Sequence, residues 1–208
     1  MIEIEKRSLI DKVKFNQFRS ELRKISDESV QKRFTVVFVE REDFVPDKNA
    51  TNDFKLRTIN GTGELVLKQG NWHSSSERKE FTVKYDVSTF GDLLHMLVAL
   101  GRKYGVTTYV NRYKYIIGDL TITIDSYDLM SDYWVEIEKV VMDGEDTTAA
   151  NSEIDAFMQE YNLDFLDSKG TVDYITKMNN QEERRVLFDK VDIQKWVEER
   201  IDYINGLK

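Results

Sequence analysis

Acidic side chains recur at every second position in two short segments, one at each end of a β-rich region. Glu3 and Glu5 flank Ile4 at the start of the chain, and Glu136 and Glu138 repeat the pattern later. In a β-strand alternate residues point to one face, about 7 Å apart. Carboxylates at that spacing on a covered face repel each other. A divalent cation bound by their oxygen atoms would relieve that repulsion.

Basic side chains follow the same alternation on the segments between. Lys55 and Arg57 share one face of a predicted strand, and Arg112 and Lys114 share one face of another. A hairpin turn at 60–63 leads into a strand over 64–68. The residues predicted to share charged strand faces are Glu3, Glu5, Glu64, Glu80, Asp119, Asp125, Glu136 and Glu138, with Arg7, Lys55, Arg57, Lys68, Arg78, Arg112 and Lys114.

Two architectures fit this alternation. An open antiparallel sheet would turn its charged face to water, and alternation alone favours that arrangement by about two to one. A closed barrel would turn the charges inward, and the helices predicted from apolar periodicity would cover its outside. Enclosed charges must neutralise one another or surround a charged ligand. A basic wall facing carboxylates suits a phosphate-bearing anion bridged to the protein by a metal ion.

Composition narrows the classes of protein and of site. The chain has 208 residues, no cysteine and two histidines, so disulfides and thiolate or histidine-rich zinc sites are not expected. No segment is long and apolar enough for a membrane span, and we expect a cytoplasmic protein. The net charge is −8, and residues 143–208 hold sixteen acidic and eight basic side chains. This acidity argues against binding to DNA.

The predicted elements form one unit in two parts. Residues 1–142 carry the strands, with helices over 11–25 and 89–100. Residues 143–208 form an acidic helical segment, with helices over 152–161, 171–178 and 193–204, that we expect to pack on the barrel as part of the same domain.

In the order of its motifs, the chain resembles the CYTH superfamily of triphosphate tunnel metalloenzymes. The matching segments are the first E-x-E strand, K-L-R, L-V-L-K, R-x-E, R-x-K, the following Asp and the closing E-I-E. The resemblance implies an α+β fold with an eight-stranded antiparallel β-barrel, a tunnel and helices packed outside. It also implies Mg²⁺ or Mn²⁺ as cofactor, and a triphosphate-bearing small molecule as ligand.

The resemblance assigns roles to individual positions. It implies metal binding by Glu3, Glu5 and Glu138, joined by Glu136 and Asp125, and it implies that Glu80 orients water as a third catalytic residue beside Glu3 and Glu5. It implies phosphate contacts from Arg7, Lys55, Arg57, Lys68, Arg78, Arg112 and Lys114.

Position 7 departs from the family pattern, in which a lysine is usual. Arg7 keeps the positive charge but has a planar guanidinium group instead of a compact ammonium group. Family members hydrolyse inorganic triphosphate, thiamine triphosphate, nucleoside triphosphates or RNA 5′-triphosphate ends, and some cyclise ATP. We expect a metal-dependent triphosphatase, with a non-catalytic module that binds a phosphorylated ligand, or an adenylate cyclase, as alternatives.

Overall fold

A computed structural model gives the architecture of the chain and describes residues 2–46, 51–70, 79–142 and 145–207. Its principal element is an antiparallel sheet in which the strands follow the order β1-β8-β7-β6-β2-β3-β4-β5. The strands are β1 (Ile2–Ile10), β2 (Ser29–Val39), β3 (Asn52–Ile59), β4 (Thr62–Gln69), β5 (Lys79–Tyr85), β6 (Tyr104–Ile117), β7 (Leu120–Tyr127) and β8 (Tyr133–Val141).

The eight predicted antiparallel strands are confirmed, and a short ninth strand joins them. This strand, β9 (Arg185–Leu187), pairs with the start of β6. It was not predicted, because three residues are too few to show alternation. β2 also begins earlier than the apolar run suggested, because residues 29–32, of which three are polar, continue the ladder with β6.

The sheet curls into a half-barrel. Its hydrogen-bonded path starts at β1 and ends at β5, and no ladder joins these two strands within the described part of the chain. Side chains nevertheless meet across the opening, because Lys68 Nζ on β4 lies 2.9 Å from a carboxylate oxygen of Glu3 on β1. Most of the described residues that were predicted to share charged faces therefore point to a common interior, and the open sheet with a water-facing charged side is excluded. Asp119 is a wrong prediction, because it lies in the turn between β6 and β7 with its side chain 83% exposed and 3.6 Å from Lys139.

Six α-helices and two short 3-10 helices, Val87–Thr89 and Glu182–Arg184, accompany the sheet in the described residues. The α-helices are α1 (Lys12–Leu22), α2 (Phe90–Ala99), α3 (Thr147–Glu160), α4 (Ser168–Asn179), α5 (Ile193–Glu198) and α6 (Ile201–Ile204). The predicted α+β class is thus confirmed. The predicted helix over 193–204 is divided in two at Arg200, and the one predicted over 152–161 begins at Thr147, where Asp146 caps its first turn.

Two apolar clusters join the helices to the outside of the sheet. In the first, Phe18 of α1 and Phe157 of α3 pack with Ile122 and Ile137 from the strands. In the second, Phe90 of α2 and Trp196 of α5 belong to a cluster centred on strand residues such as Phe34. The apolar strand faces are therefore covered by helices, and this leaves the charged faces inside.

α4 lies across one end of the half-barrel. Trp134 of β8 packs on Tyr174 of α4, with ring centres 5.1 Å apart. Just before the helix, the backbone N–H of Leu166 donates to the carbonyl oxygen of Arg7 at 2.8 Å, which ties this segment to β1. None of the helices in the described residues is long and apolar enough to cross a membrane.

Replacing Phe18 by alanine tests the outer packing of α1. The side chain is fully buried, so we expect the free energy of unfolding to fall by about 3–5 kcal/mol. Val13, on the same helix, is 65% exposed, and Val13→Ala should change stability by less than about 0.5 kcal/mol. Urea denaturation of the two variants measures the difference, and equal midpoints would contradict the packing of α1 described here.

Candidate functional site

The interior of the half-barrel contains a cavity of about 240 Å³. Five cationic side chains line it, and we call them the basic wall: Arg33, Lys55, Arg57, Lys68 and Arg112. They project from four adjacent strands, β6, β2, β3 and β4, at positions that alternate with residues of the outer core. The strand phase therefore brings them together from distant parts of the chain.

Carboxylates lie among these cations and pair with them. Lys68 contacts Glu3 at 2.9 Å and Glu80 at 3.0 Å. Arg57 contacts Glu64 at 2.7 Å and is 3.7 Å from Glu80. Burial disfavours the charge on Glu80, but the neighbouring Lys68, with Thr82 and Arg57, lowers its pKa to about 2. Glu80 is therefore ionised at neutral pH.

Arg112 occupies the centre of a second network. Its guanidinium donates to both carboxylate oxygens of Asp125, at 2.6 and 2.5 Å, and to Glu136 at 3.1 Å. Burial opposes ionisation of Glu136, but the charges of Arg112, Arg7 and Lys68 outweigh it and hold its pKa well below the usual range. Such bidentate, charge-assisted contacts fix the orientation of the guanidinium plane.

Arg7 lies between the two E-x-E strands. It is buried, donates to Glu5, and has its Nε 3.6 Å from Glu136, the residue directly opposite it on β8. Its guanidinium carbon lies 5.6 Å from the ring centre of Trp134. Arg7 therefore forms an ion pair with Glu5 and does not line the cavity.

Glu3 and Glu138 form a carboxyl pair. Burial, together with the neighbouring charge of Glu3, a hydrogen bond with Glu3 and the charge of Glu136, raises the pKa of Glu138 to about 8. Glu5 is directly opposite Glu138 in the ladder. Glu3 and Glu138 are therefore neighbours, with Glu5 across the ladder from Glu138, and the raised pKa of Glu138 favours its protonated form at neutral pH.

Comparison with known proteins agrees with this geometry. The sequence matches the family described as the CYTH domain over residues 1–167. The chain belongs to the CYTH family. The resemblance noted from the motifs is thus confirmed, and the matched region extends beyond the strands into α3. None of the curated protein sequences matches the chain.

Solved structures share the CYTH fold at low sequence identity. The PH1012 protein of Pyrococcus horikoshii is 13% identical with a TM-score of 0.62, over 91% of this chain and 99% of that one. A chain of the Schizosaccharomyces pombe Mediator head module is 11% identical with a TM-score of 0.59, over 79% and 98%. HpAC1 of Hippeastrum, an adenylyl cyclase candidate described as having a dominant triphosphatase activity, is 16% identical with a TM-score of 0.54, over 79% and 89%.

The carboxylate oxygens of Glu3, Glu5 and Glu138 are ligands of the kind that a divalent metal ion prefers, although the three side chains do not form a complete metal site. In the described ranges, no three acidic or histidine side chains are grouped closely enough to hold a metal. However, the raised pKa of Glu138 shows that its neighbours supply too little positive charge to stabilise another carboxylate there. The buried hydroxyl of Thr123, opposite Glu136 in the ladder, also has no hydrogen-bond partner. Glu3, Glu5 and Glu138 thus offer the oxygen ligands that a divalent cation prefers, but their side chains would have to move closer together to hold one.

Asp125 and Glu136 have partners that differ from those of the other acidic residues. Arg112 engages both oxygens of Asp125 and also reaches Glu136. These contacts favour a role in positioning Arg112, so metal binding by Asp125 stays a prediction without support from its surroundings. The register places Glu136 opposite Arg7, one same-face position along β8 from Glu138.

Arg33 is a member of the basic wall that the sequence analysis missed. Burial, followed by the like charges of Arg112 and Arg57, lowers its pKa from the usual value. Gln31 accepts two of its hydrogen bonds, at 3.0 and 2.6 Å. The signal was present, since Arg33 alternates with Phe34 and Val36 of the outer core, but a run of apolar residues after it obscured the phase.

Of the predicted phosphate contacts, Arg7 and Lys114 do not line the first cavity. Lys114 faces the interior two residues beyond Arg112 but lines a second cavity, together with Arg23, Lys24 and Ser29. Arg78 lies outside the described residues. Lys55 lines the first cavity as predicted and contacts Asp53 at 2.7 Å.

Glu138→Gln tests the carboxyl pair through the pH dependence of stability. A carboxyl group whose pKa rises from 4.5 to about 8 on folding costs stability as pH rises through that interval, and the whole cost is present above pH 8. In chelator, we expect the variant to be more stable than the wild type at pH 9 by on the order of 2–4 kcal/mol, since one pKa unit corresponds to about 1.4 kcal/mol and water in the tunnel weakens the effect.

Below pH 5 the two proteins should have equal stability. Glu153→Gln, at an exposed position on α3 that contacts Lys139, is the matched control and should show no such pH dependence. Denaturation curves at pH 5, 7 and 9 measure the effect. A constant difference between Glu138→Gln and wild type would contradict the shared proton.

Proposed function

We propose that this CYTH domain hydrolyses a triphosphate-bearing substrate with Mg²⁺ or Mn²⁺. The observation that carries the proposal is the convergence of the basic wall on a cavity beside the Glu3, Glu5 and Glu138 carboxylates. Cations that hold phosphate oxygens and carboxylates that hold a metal ion are the two requirements of phosphoryl transfer to water. Its resemblance in fold to HpAC1, with that protein's triphosphatase activity, is consistent with it.

The basic wall would bind and orient the phosphates. Arg57 and Arg112 present planar groups that can donate two parallel hydrogen bonds to one phosphate, whereas Lys55 and Lys68 supply point charges. Their present partners are carboxylates, so phosphate oxygens would replace existing ion pairs. Asp125 would keep the guanidinium plane of Arg112 in position during this exchange, because both carboxylate oxygens of Asp125 accept hydrogen bonds from Arg112.

Glu3, Glu5 and Glu138 would hold the metal ion. When bound, the ion would neutralise charge on the phosphate oxygens and polarise the reacting phosphoryl group. Metal binding requires Glu138 to lose its proton, so the affinity for the metal ion should decrease as the pH falls below about 8. Glu80, ionised because of Lys68 and Arg57, would orient the attacking water; a pKa of about 2 suits orientation better than proton storage.

A second candidate function is non-catalytic binding of a phosphorylated ligand. The contact between Arg7 and Glu5 favours it, because the guanidinium occupies one of the three carboxylates that a metal ion needs. A fold that resembles a chain of the Mediator head module is compatible with such a role. Cyclisation of ATP is tested alongside hydrolysis, since both start from a bound triphosphate.

Phosphate release decides between these functions. The protein is incubated with tripolyphosphate, ATP, GTP, thiamine triphosphate and an RNA 5′-triphosphate end, with Mg²⁺, Mn²⁺ or chelator, and cyclic AMP is measured in the ATP samples. We expect metal-dependent release of phosphate from at least one compound. Binding to a triphosphate with no turnover by any metal would establish the non-catalytic alternative.

Arg57→Ala tests the basic wall. If Arg57 holds a phosphate in the partly enclosed cavity, its loss should lower transition-state stabilisation by about 2–4 kcal/mol, or kcat/KM by roughly 30- to 1000-fold. Lys32, exposed on the neighbouring strand β2, is the control, and Lys32→Ala should change kcat/KM less than about twofold. Normal kinetics for Arg57→Ala would place this residue outside the site.

Arg7→Lys tests whether the departure from the family pattern limits the reaction. A compact ammonium group cannot donate in parallel to two carboxylates, so Glu5 should become more accessible to a metal ion. We expect the metal concentration for half-maximal activity to fall by about tenfold. Lys6→Arg, which is on the opposite face of β1 and contacts Asp155, is the control. An unchanged metal requirement would show that Arg7 does not compete for Glu5.

A further inference from the structure

The lining of the cavity changes from basic to apolar along two neighbouring strands. On β2, Arg33 is followed on the same face by Thr35 and then Val37. On β6 the residues opposite these three are Val110, Thr108 and Val106, in that order. Along β2 and β6 the inner face therefore becomes apolar toward the end of β2, while Lys55 on β3, directly opposite Val37, keeps a charge at its border.

Helix α4 extends this apolar lining. Ile175 and Met178 project from the helix into the same cavity as Val37, Val39 and Val106. We call these five residues the apolar wall. Met178 and Val106 are buried, and α4 is fixed at its start by Asp167, whose side chain accepts from the backbone N–H of Gly170. The apolar wall is thus a built surface on ordered elements, and the basic wall borders it.

An inorganic polyanion would leave the apolar wall without a partner. Phosphate oxygens gain from cations and N–H groups and gain nothing from valine, isoleucine or methionine side chains. Apolar side chains around an internal cavity gain most from contact with an apolar group, which removes their surface from water. A ligand that matches both walls therefore carries a phosphate chain and an apolar group.

We propose that the substrate is a triphosphate ester of a compact alkyl or alkenyl alcohol, with the phosphates on the basic wall and the hydrocarbon group on the apolar wall. This rests on the proposed function and names the substrate class of the same site. Val37, Ile175 and Met178 determine specificity in this arrangement, because they contact the hydrocarbon group and not the reacting phosphate.

The size and polarity of the cavity favour a small hydrocarbon group over a nucleoside. At about 240 Å³, the cavity is smaller than the about 300–1,000 Å³ of sites that enclose a drug-sized ligand. A nucleobase also needs hydrogen-bond partners. The valine and isoleucine side chains of the apolar wall supply none, and Asn179, beside them on α4, already donates to the carbonyl oxygen of Phe44 at 3.1 Å. The hydroxyl groups of Thr35 and Thr108 lie between Arg33 and the apolar wall, not within it.

The test compares tripolyphosphate, 3-methylbutyl triphosphate and ATP as substrates of the full chain with Mg²⁺ or Mn²⁺. We expect kcat/KM for the alkyl ester to exceed that for tripolyphosphate and ATP by at least tenfold. In Ile175→Ser, and separately in Val37→Ser, the preference for the ester over tripolyphosphate should fall by about 5- to 30-fold. Ile201→Ser changes an exposed isoleucine outside the cavity and should leave the preference intact.

Equal or better turnover of tripolyphosphate would overturn the proposal, and a preference for ATP would assign the apolar wall to a nucleobase instead. If no compound is hydrolysed, the proposed function fails, and calorimetric binding of tripolyphosphate and the alkyl ester in chelator tests the apolar wall by itself. Tighter binding of the ester, lost in Ile175→Ser but not in Ile201→Ser, would then support it. Equal affinities would reject it.

Discussion

Charges enclosed by the half-barrel have to neutralise one another, and this requirement governs the interior. Moving an isolated charge out of water costs far more than a domain of this size can offset. The inner strand faces carry cations and carboxylates in contact, as in Lys68 with Glu3 and Glu80 or Arg112 with Asp125 and Glu136. The same alternation sends apolar residues outward, where the helices must cover them.

The neutralisation is incomplete at two places, and both are chemically informative. Burial and the charges of Glu3 and Glu136 raise the pKa of Glu138, so this carboxyl group has too little positive charge around it. Burial, followed by the charges of Arg112 and Arg57, lowers the pKa of Arg33, so this member of the basic wall has too little negative charge around it. Deficits of opposite sign on one interior surface are what a metal ion and a phosphate chain would remove together.

Strand phase made most of this interior predictable from the sequence. Alternation in short segments placed Glu3, Arg57 and Arg112 on inner faces, because a period of two leaves only two choices for each strand. The pairing of individual charges was not predictable, since it depends on the register between strands that are distant in the chain. Glu3 meets Lys68 only because the sheet curls.

Other features lacked a sequence signal. Arg33 was missed because the inner positions after it are Thr35, Val37 and Val39, so the strand shows no further charge that would reveal its inner face. The position of α4 depends on packing of Tyr174 against Trp134, which no local pattern specifies. Lys114 lies on the predicted strand face but lines the second cavity instead of the first. Strand alternation determines the face of a residue and not its position along the strand.

The existing ion pairs also determine how ligands can enter. A phosphate chain alone would take Arg57 and Lys68 from Glu64, Glu3 and Glu80 and would leave those carboxylates buried and unpaired. Binding of a metal ion alone would require Glu138 to lose its proton, which adds a negative charge near Glu136. When both bind, each offsets the charge that the other exposes. In the proposed function, metal and triphosphate therefore bind with positive coupling. Because such coupling is reciprocal, each ligand raises the affinity for the other by the same factor.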